Sequence, residues 1–195
     1  MKYKVIYADP PWAYKDKRTG NKSDKSGRIC GGAEVYYDTL EIQEIKDLPI
    51  KDIADDDCLL FLWATFPNLR EALDTIDAWG FTYKTIGFTW VKTNKKSSSS
   101  FFGIGAYTRS NSEICLLGTR GKPVIKDHGI SSIVESTIKS PIEKHSSKPA
   151  CIRDLIERLS DGPRIELFAR QKTENWTSVG YEIDGKDIRD VLKGL

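Results

Sequence analysis

The run Cys58-Leu59-Leu60-Phe61-Leu62-Trp63 holds six apolar side chains without a polar break. Successive strand residues face opposite sides of a sheet, so this run has no face suited to water and must be covered on both. A helical pattern follows, with Leu69, Ala72, Leu73, Ile76 and Trp79 on one face and Gly80 at its carboxyl end. Lys4 to Ala8, Glu113 to Gly118 and Arg164 to Ala169 repeat the buried-strand signal, Phe81 to Val91 reads as one or two strands, and Thr177 to Ile183 as another. Further helices are expected over Thr39 to Leu48, stopped by Pro49, over Pro149 to Leu159, and over Lys186 to Leu195. The stretch from His128 to Lys144 is polar and is assigned no element. Strands alternating with helices predict an α/β class, a mostly parallel sheet flanked by helices. At 195 residues, with no internal repeat or linker, residues 1–195 are expected to form one domain.

Composition narrows the function classes. Thirty basic against 28 acidic side chains leave a formal charge of +2, which excludes a polycation and makes any nucleic-acid surface a local one. Lys15 to Arg28 is a candidate, with Lys15, Lys17, Arg18, Lys22, Lys25 and Arg28 against Asp16 and Asp24, a local balance of +4. Its Gly, Ser and Asn content predicts a loop. Cys30, Cys58, Cys115 and Cys151 form no Cys-x-x-Cys pair, so reduced thiols and no zinc site are expected. No basic-then-apolar leader or membrane-length apolar stretch is present, and a soluble cytoplasmic protein is expected.

The chemistry concentrates at Asp9-Pro10-Pro11-Trp12, directly after the first strand. In open α/β sheets the carboxyl ends of strands are where ligands bind. Proline fixes φ and lacks an N–H, so the pair holds an extended geometry with carbonyls free to accept hydrogen bonds. The exocyclic amine of adenine is a poor nucleophile because its lone pair is delocalised. Asp9 and the Pro10 carbonyl would each accept one amine hydrogen and aim that lone pair at an electrophilic methyl group, while Trp12 would stack on the extruded base. The competing reading makes Asp9 a strand end, the prolines a turn and Trp12 core. Lys95 to Ser100 is a low-complexity loop, and Phe101, Phe102 and Tyr107 after it would suit a flipped base. Gly103-Ile104-Gly105 lacks the third glycine and the helix of a nucleotide loop.

Four signals in order, Asp9-Pro10-Pro11-Trp12, Leu60 to Thr65, His145-Ser146-Ser147-Lys148-Pro149 and Ile165 to Arg170, resemble the MT-A family of S-adenosylmethionine-dependent adenine-N(6) methyltransferases, whose members include the catalytic subunit of the eukaryotic mRNA adenosine methyltransferase. The resemblance runs from Val5 to about Glu182. It implies a Rossmann-like methyltransferase fold with permuted motif order and S-adenosylmethionine as cofactor. By that likeness Asp9, Pro10, Pro11 and Trp12 are catalytic, and Asp9 also faces the cofactor. Lys148 would meet the cofactor's methionine carboxylate. Glu166, Leu167, Phe168 and Arg170 would form the cofactor wall, with Glu166 or Arg170 near the ribose hydroxyls, and Asn175-Trp176 and Gly180-Tyr181-Glu182 would close round the adenosine. Glu166 would otherwise pair with Arg170 or Arg164. Tyr181 stands where relatives often carry Asn, and Glu113 aligns with the substrate-side strand. Some relatives place an acidic residue on the adenine edge from an upstream segment, whereas only eight residues precede Asp9 here, so that contact would come from elsewhere.

The activity implied is methylation of adenine in DNA. The same reaction on RNA and a catalytically silent nucleic-acid-binding subunit stay open as alternatives; cytosine-amine enzymes usually carry Ser in place of Asp9. Lys15, Lys17, Arg18, Lys22, Lys25 and Arg109 are the expected nucleic-acid contacts. No membrane partner is expected, and a homo- or hetero-oligomer is left open.

Overall fold

A computed structural model describes residues 1–12, 22–23, 29–30, 40–93, 107–109, 111–137 and 148–195 of the chain. A seven-stranded sheet runs in the order β7-β5-β6-β4-β1-β8-β9. Its strands are β1 (Tyr3–Ala8), β4 (Ala54–Ala64), β5 (Thr82–Thr93), β6 (Glu113–Arg120), β7 (Ile133–Thr137), β8 (Arg164–Leu167) and β9 (Thr177–Val179). A separate two-stranded pairing joins β2 (Lys22–Ser23) and β3 (Ile29–Cys30). The helices are α1 (Ile42–Lys46), α2 (Ile50–Ile53), α3 (Leu69–Ala78), α4 (Cys151–Leu159), α5 (Tyr181–Asp184) and α6 (Ile188–Lys193).

The pairs β1–β4, β1–β8, β8–β9 and β5–β7 are parallel, while β6 runs antiparallel to both β4 and β5. The expected Rossmann-like α/β sandwich is therefore present, with a mixed sheet. β1 sits between two parallel neighbours, with Ala8 opposite both Leu62 and Leu167. Asp9 and Phe168, each one residue further on, emerge together at the carboxyl edge.

The alternation demanded by the sequence is met on both faces. Ile6, Ala8, Leu60, Leu62 and Ala64 pack with Ile45, Ile76, Trp79 and Ile188 on one side. Val5, Tyr7, Leu59, Phe61 and Trp63 pack with Ile152 and Ile156 on the other. Burying each large side chain contributes about 1.5–3 kcal/mol, so these two layers dominate the favourable side of folding. Trp79 also ties α3 to α1, its indole N–H donating to the Ile45 carbonyl at 2.9 Å.

Three expectations need correction. Strand β7 lies inside the stretch expected to be structureless: Ile133 and Val134 supply its apolar content, but pairing with the outer edge of β5 makes it a strand. The strand expected over Thr177 to Ile183 ends at Val179, because α5 follows and closes with Gly185 in the left-handed region at φ 71°. The helix expected over Thr39 to Leu48 spans only Ile42–Lys46, capped by Asp47, and Pro49 stands ahead of a second short helix, α2.

Candidate active site

A cavity of about 560 Å³ opens at the carboxyl edge, between Asp9, Pro10 and Pro11 on one side and Phe168, Ala169 and Arg170 on another. Gly180, Tyr181 and Glu182 form a further wall, and Lys186 to Arg189, at the start of α6, complete it with Leu40. The volume lies within the roughly 300–1,000 Å³ typical of small-molecule sites.

Local backbone explains the shape. Phe168 has φ 61°, a conformation that bulky side chains rarely adopt, and it occurs where the chain leaves β8 and turns along the cavity. Gly180 lies against the Ala169 backbone, where the Ala169 N–H donates to the Val179 carbonyl at 2.9 Å. A Cβ on Gly180 would fall inside contact distance of the Ala169 carbonyl oxygen, so only glycine fits this junction. Arg170 and Glu182 form an ion pair at 3.6 Å across the opening.

Behind Asp9 stands a line of charges. Lys148 Nζ lies 2.8 Å from Asp9 Oδ2 and 3.1 Å from Glu113 Oε2, with the lysine side chain only 6 % exposed. Glu113 Oε1 in turn meets Lys92 Nζ at 2.5 Å. Burial alone would pull the Lys148 ammonium down, but the Asp9 and Glu113 charges outweigh it and hold its pKa above the ordinary lysine value. Burial pushes the Glu113 carboxyl up, and Lys148 and Lys92 more than reverse that, leaving it below its ordinary value. Lys148 Nζ also sits 5.3 Å from the Trp63 ring centroid, within cation–π range. Among the described residues, Lys148 engages Asp9 Oδ2 and none donates to Oδ1, so one carboxylate oxygen is held and the other can accept a hydrogen bond.

The structure brings some expected residues to the cavity and takes others away. Asp9, Pro10, Pro11, Phe168, Arg170, Tyr181 and Glu182 line it. The Pro10 carbonyl already accepts the Trp12 N–H at 2.9 Å, which leaves one lone pair for a ligand. Trp12, expected to stack on a base, is 4 % exposed, and its indole N–H donates to the Trp63 carbonyl at 2.9 Å. Its ring belongs to the core on the β4 side, which is the competing reading of that residue.

Glu166 is not paired with Arg170 or Arg164. Both of its oxygens accept from Arg153 on α4, at 2.8 and 2.5 Å, and the pair is almost fully buried. Arg164 instead donates to the Ser160 and Glu157 carbonyls. Leu167 points into the core. Trp176 lies in the opposite core layer, edge-on to Tyr7 and bonded to Glu157, so it does not close round the cavity. Asn175 is exposed with φ 63° in the turn before it, a conformation asparagine tolerates. Lys148 lies behind Asp9 and does not line the cavity.

Of the expected nucleic-acid contacts, Lys15, Lys17, Arg18 and Lys25 lie outside the described residues, as do Phe101 and Phe102. For Lys22 only the strand backbone is described. Arg109 is exposed, as is Tyr107. No helix of the described residues is long and apolar enough to cross a membrane.

The wall from Lys186 to Arg189 was missed by sequence reasoning. Its one local signal is Asp187 ahead of an apolar-periodic stretch, the mark of a helix N-cap, and the Asp187 carboxylate does accept the Arg189 N–H at 2.8 Å. The Arg189 guanidinium then binds Asp187 and Glu44, tying α6 to α1.

Comparison with known proteins places these features in a lineage. The MT-A70 family profile matches residues 3–182. The type II methyltransferase M.MunI of Mycoplasma sp is 33% identical over 202 residues, covering 99% of this chain and 83% of that protein. The N(6)-adenosine-methyltransferase subunit METTL3 of Danio rerio is 32% identical over 193 residues, covering 97% of this chain but 29% of that protein. The human N(6)-adenine-specific methyltransferase METTL4 is 28% identical over 200 residues, covering 93% of this chain and 37% of that protein. The chain thus spans most of the Mycoplasma relative and under two fifths of the two animal ones.

Proposed function

Because the chain belongs to the MT-A70 family, we propose that it is an S-adenosylmethionine-dependent methyltransferase of the adenine exocyclic amine, that DNA is its substrate, and that residues 1–195 act as one methyltransferase domain. The observation that carries this reading is the meeting, in one cavity, of the Asp9-Pro10-Pro11 edge with the walls formed by Phe168 to Arg170 and Gly180 to Glu182. The preference for DNA rests on the match along 83% of a protein named a type II methyltransferase, against less than a third of the METTL3 relative. Relatives named as subunits support assembly with a second chain.

The residues fit the cofactor. Gly180 leaves a backbone cradle that a Cβ would fill, Phe168 offers an apolar wall, and Glu182 is an exposed acceptor suited to ribose hydroxyls. S-adenosylmethionine, when bound, supplies a sulfonium methyl group. Everything else falls to the chain. Asp9 Oδ1 and the remaining lone pair of the Pro10 carbonyl accept the two amine hydrogens, which turns the nitrogen lone pair away from the ring. Lys148 holds one Asp9 oxygen at 2.8 Å, so the carboxylate orients without having to move. Burial holds the Tyr7 phenol well above its ordinary pKa, so it stays neutral beneath the site and supplies no base.

The test is to incubate the full chain with methyl-labelled cofactor and sequence-matched duplex DNA, single-stranded DNA and RNA, then analyse the nucleosides by mass spectrometry. N(6)-methyladenine in DNA is expected. Methylation confined to RNA would replace the substrate assignment, and no methylated adenine in any pool would overturn the activity.

A further inference from the structure

We propose that the Asp187 carboxylate reads the exocyclic amine of the bound cofactor's adenine, and that Arg189, tied to Glu44, is the positioning residue that holds it there. This rests on the methyltransferase reading of the cavity, and it concerns a wall beyond residue 182, where the family match ends.

The cavity follows the carboxyl edge of three neighbouring strands, with Asp9 after β1, Phe168 after β8 and Gly180 after β9. Methyl transfer to adenine brings two adenine rings to the site. Asp9 takes the amine of the substrate, and Glu182 faces Arg170 at the opening, where ribose hydroxyls would lie. Of the carboxylates lining the cavity, Asp187 is left. It stands next to Ile188, which lines the cavity with Leu40 and Phe168, and all three belong to or pack against one core layer. A flat ring with one amine at its edge matches an apolar slot with one acceptor at its rim.

The carboxylate is held as an acceptor. Its Oδ1 accepts the Arg189 backbone N–H at 2.8 Å and the Arg189 Nε–H at 2.9 Å, and its Oδ2 accepts one N–H of the same guanidinium at 2.5 Å. An ionised carboxylate has about four acceptor positions, so one remains at Oδ2. The hydrogen bonds from Arg189 hold its pKa down at about 2, so at neutral pH it is ionised and can only accept. Arg189 Nη1 donates in turn to Glu44 Oε1 at 2.7 Å, and Glu44 Oε2 accepts the Glu41 N–H at 3.0 Å in the capping box of α1. Asp187 is thereby braced against a second helix. An adenine amine would donate to it, whereas a 6-oxo group would bring oxygen against oxygen and be refused.

The experiment uses the full chain as wild type, Asp187→Asn, Asp187→Ser and Arg189→Met. Affinities are measured by calorimetry for S-adenosylhomocysteine and for S-inosylhomocysteine, which carries a 6-oxo group in place of the amine, with thermal melting alongside. Asparagine and serine both serve as N-caps, so α6 keeps its start. Wild type should prefer the adenosyl ligand by about tenfold to a hundredfold. Both Asp187 variants should bring the two affinities to within about threefold, and Asp187→Asn should bind the inosyl ligand more tightly than wild type does, because its amide can donate to the 6-oxo group. Arg189→Met should narrow the preference in the same direction. Equal losses for the two ligands in the Asp187 variants would leave the preference as it was and overturn the proposal. Full preference in Arg189→Met would overturn the role given to Arg189. If Asp187→Asn does not fold, Asp187→Ser decides. A wild-type protein that binds neither ligand would sink the cofactor reading together with this one, whereas a wild type that binds both equally sinks this proposal alone.

Discussion

Gly180 and Ala169 approach so closely that a Cβ on the glycine would stand 2.6 Å from the Ala169 amide nitrogen and nearer still to its carbonyl oxygen. Both neighbours are backbone, which cannot swing aside as a side chain would. Gly180→Ala should therefore push the wall carrying Tyr181 and Glu182 away from Phe168. We expect a stability loss of about 1–3 kcal/mol, the usual cost of overpacking, and a larger proportional loss of S-adenosylhomocysteine binding. Calorimetry alongside thermal melting separates the two. Wild-type affinity in the variant would show that this junction does not shape the cofactor site.

Asp9→Asn keeps the shape of the side chain and removes its charge. Asparagine would present either an amide donor or a weaker acceptor to the substrate amine, so methyl transfer should fall by about 10²–10³-fold. Lys148 retains Glu113 as a partner, and cooperative unfolding should persist. Single-turnover rates and melting curves compared with wild type check both halves, and near-normal turnover would remove Asp9 from the chemistry.

The Arg153–Glu166 pair is buried on the sheet face opposite the cavity's apolar wall. Arg153→Met would leave Glu166 in the interior without its cation, at a cost of about 3–5 kcal/mol. In a chain of this length that corresponds to roughly 6–20 °C in melting temperature. The double variant Arg153→Met with Glu166→Leu should regain most of the loss, since no buried charge then remains. Failure of the double variant to recover would mean that the pair's shape matters more than its charge.

Acid should expose the Glu113 contacts. The folded carboxyl lies below its ordinary value of 4.5, so as pH falls the unfolded chain takes up its proton first. The stabilisation is thus fully present above the ordinary glutamate range and is lost as pH drops through the lower folded value. Melting temperature followed from neutral pH down through that range should fall more steeply for wild type than for Glu113→Gln. Parallel curves would show that Glu113 contributes nothing to acid sensitivity.

Local pattern determined a good deal of this molecule. An unbroken apolar run such as Cys58 to Trp63 can satisfy its backbone and hide both faces only as an interior strand, and the structure makes it the core of β4. Asp9 at the end of β1 was legible for the same reason, because strand ends follow from the chain's own period. Phe168, Arg170, Tyr181 and Glu182 could be placed by motif, and they do share the cavity. Tertiary structure decided what short-range spacing cannot encode. Trp12 carries an aromatic face and an N–H whatever its neighbours, but the Trp63 carbonyl, 51 positions away, turns it inward. Glu166 required a cation, and the sequence offered Arg164 and Arg170 close by. The choice fell to Arg153 because α4 packs across the face where Glu166 points. Lys148 likewise answers to Asp9, 139 residues distant. A buried charge takes its partner from whichever element folds across it, and that crossing is a property of the packed sheet and not of any segment within it.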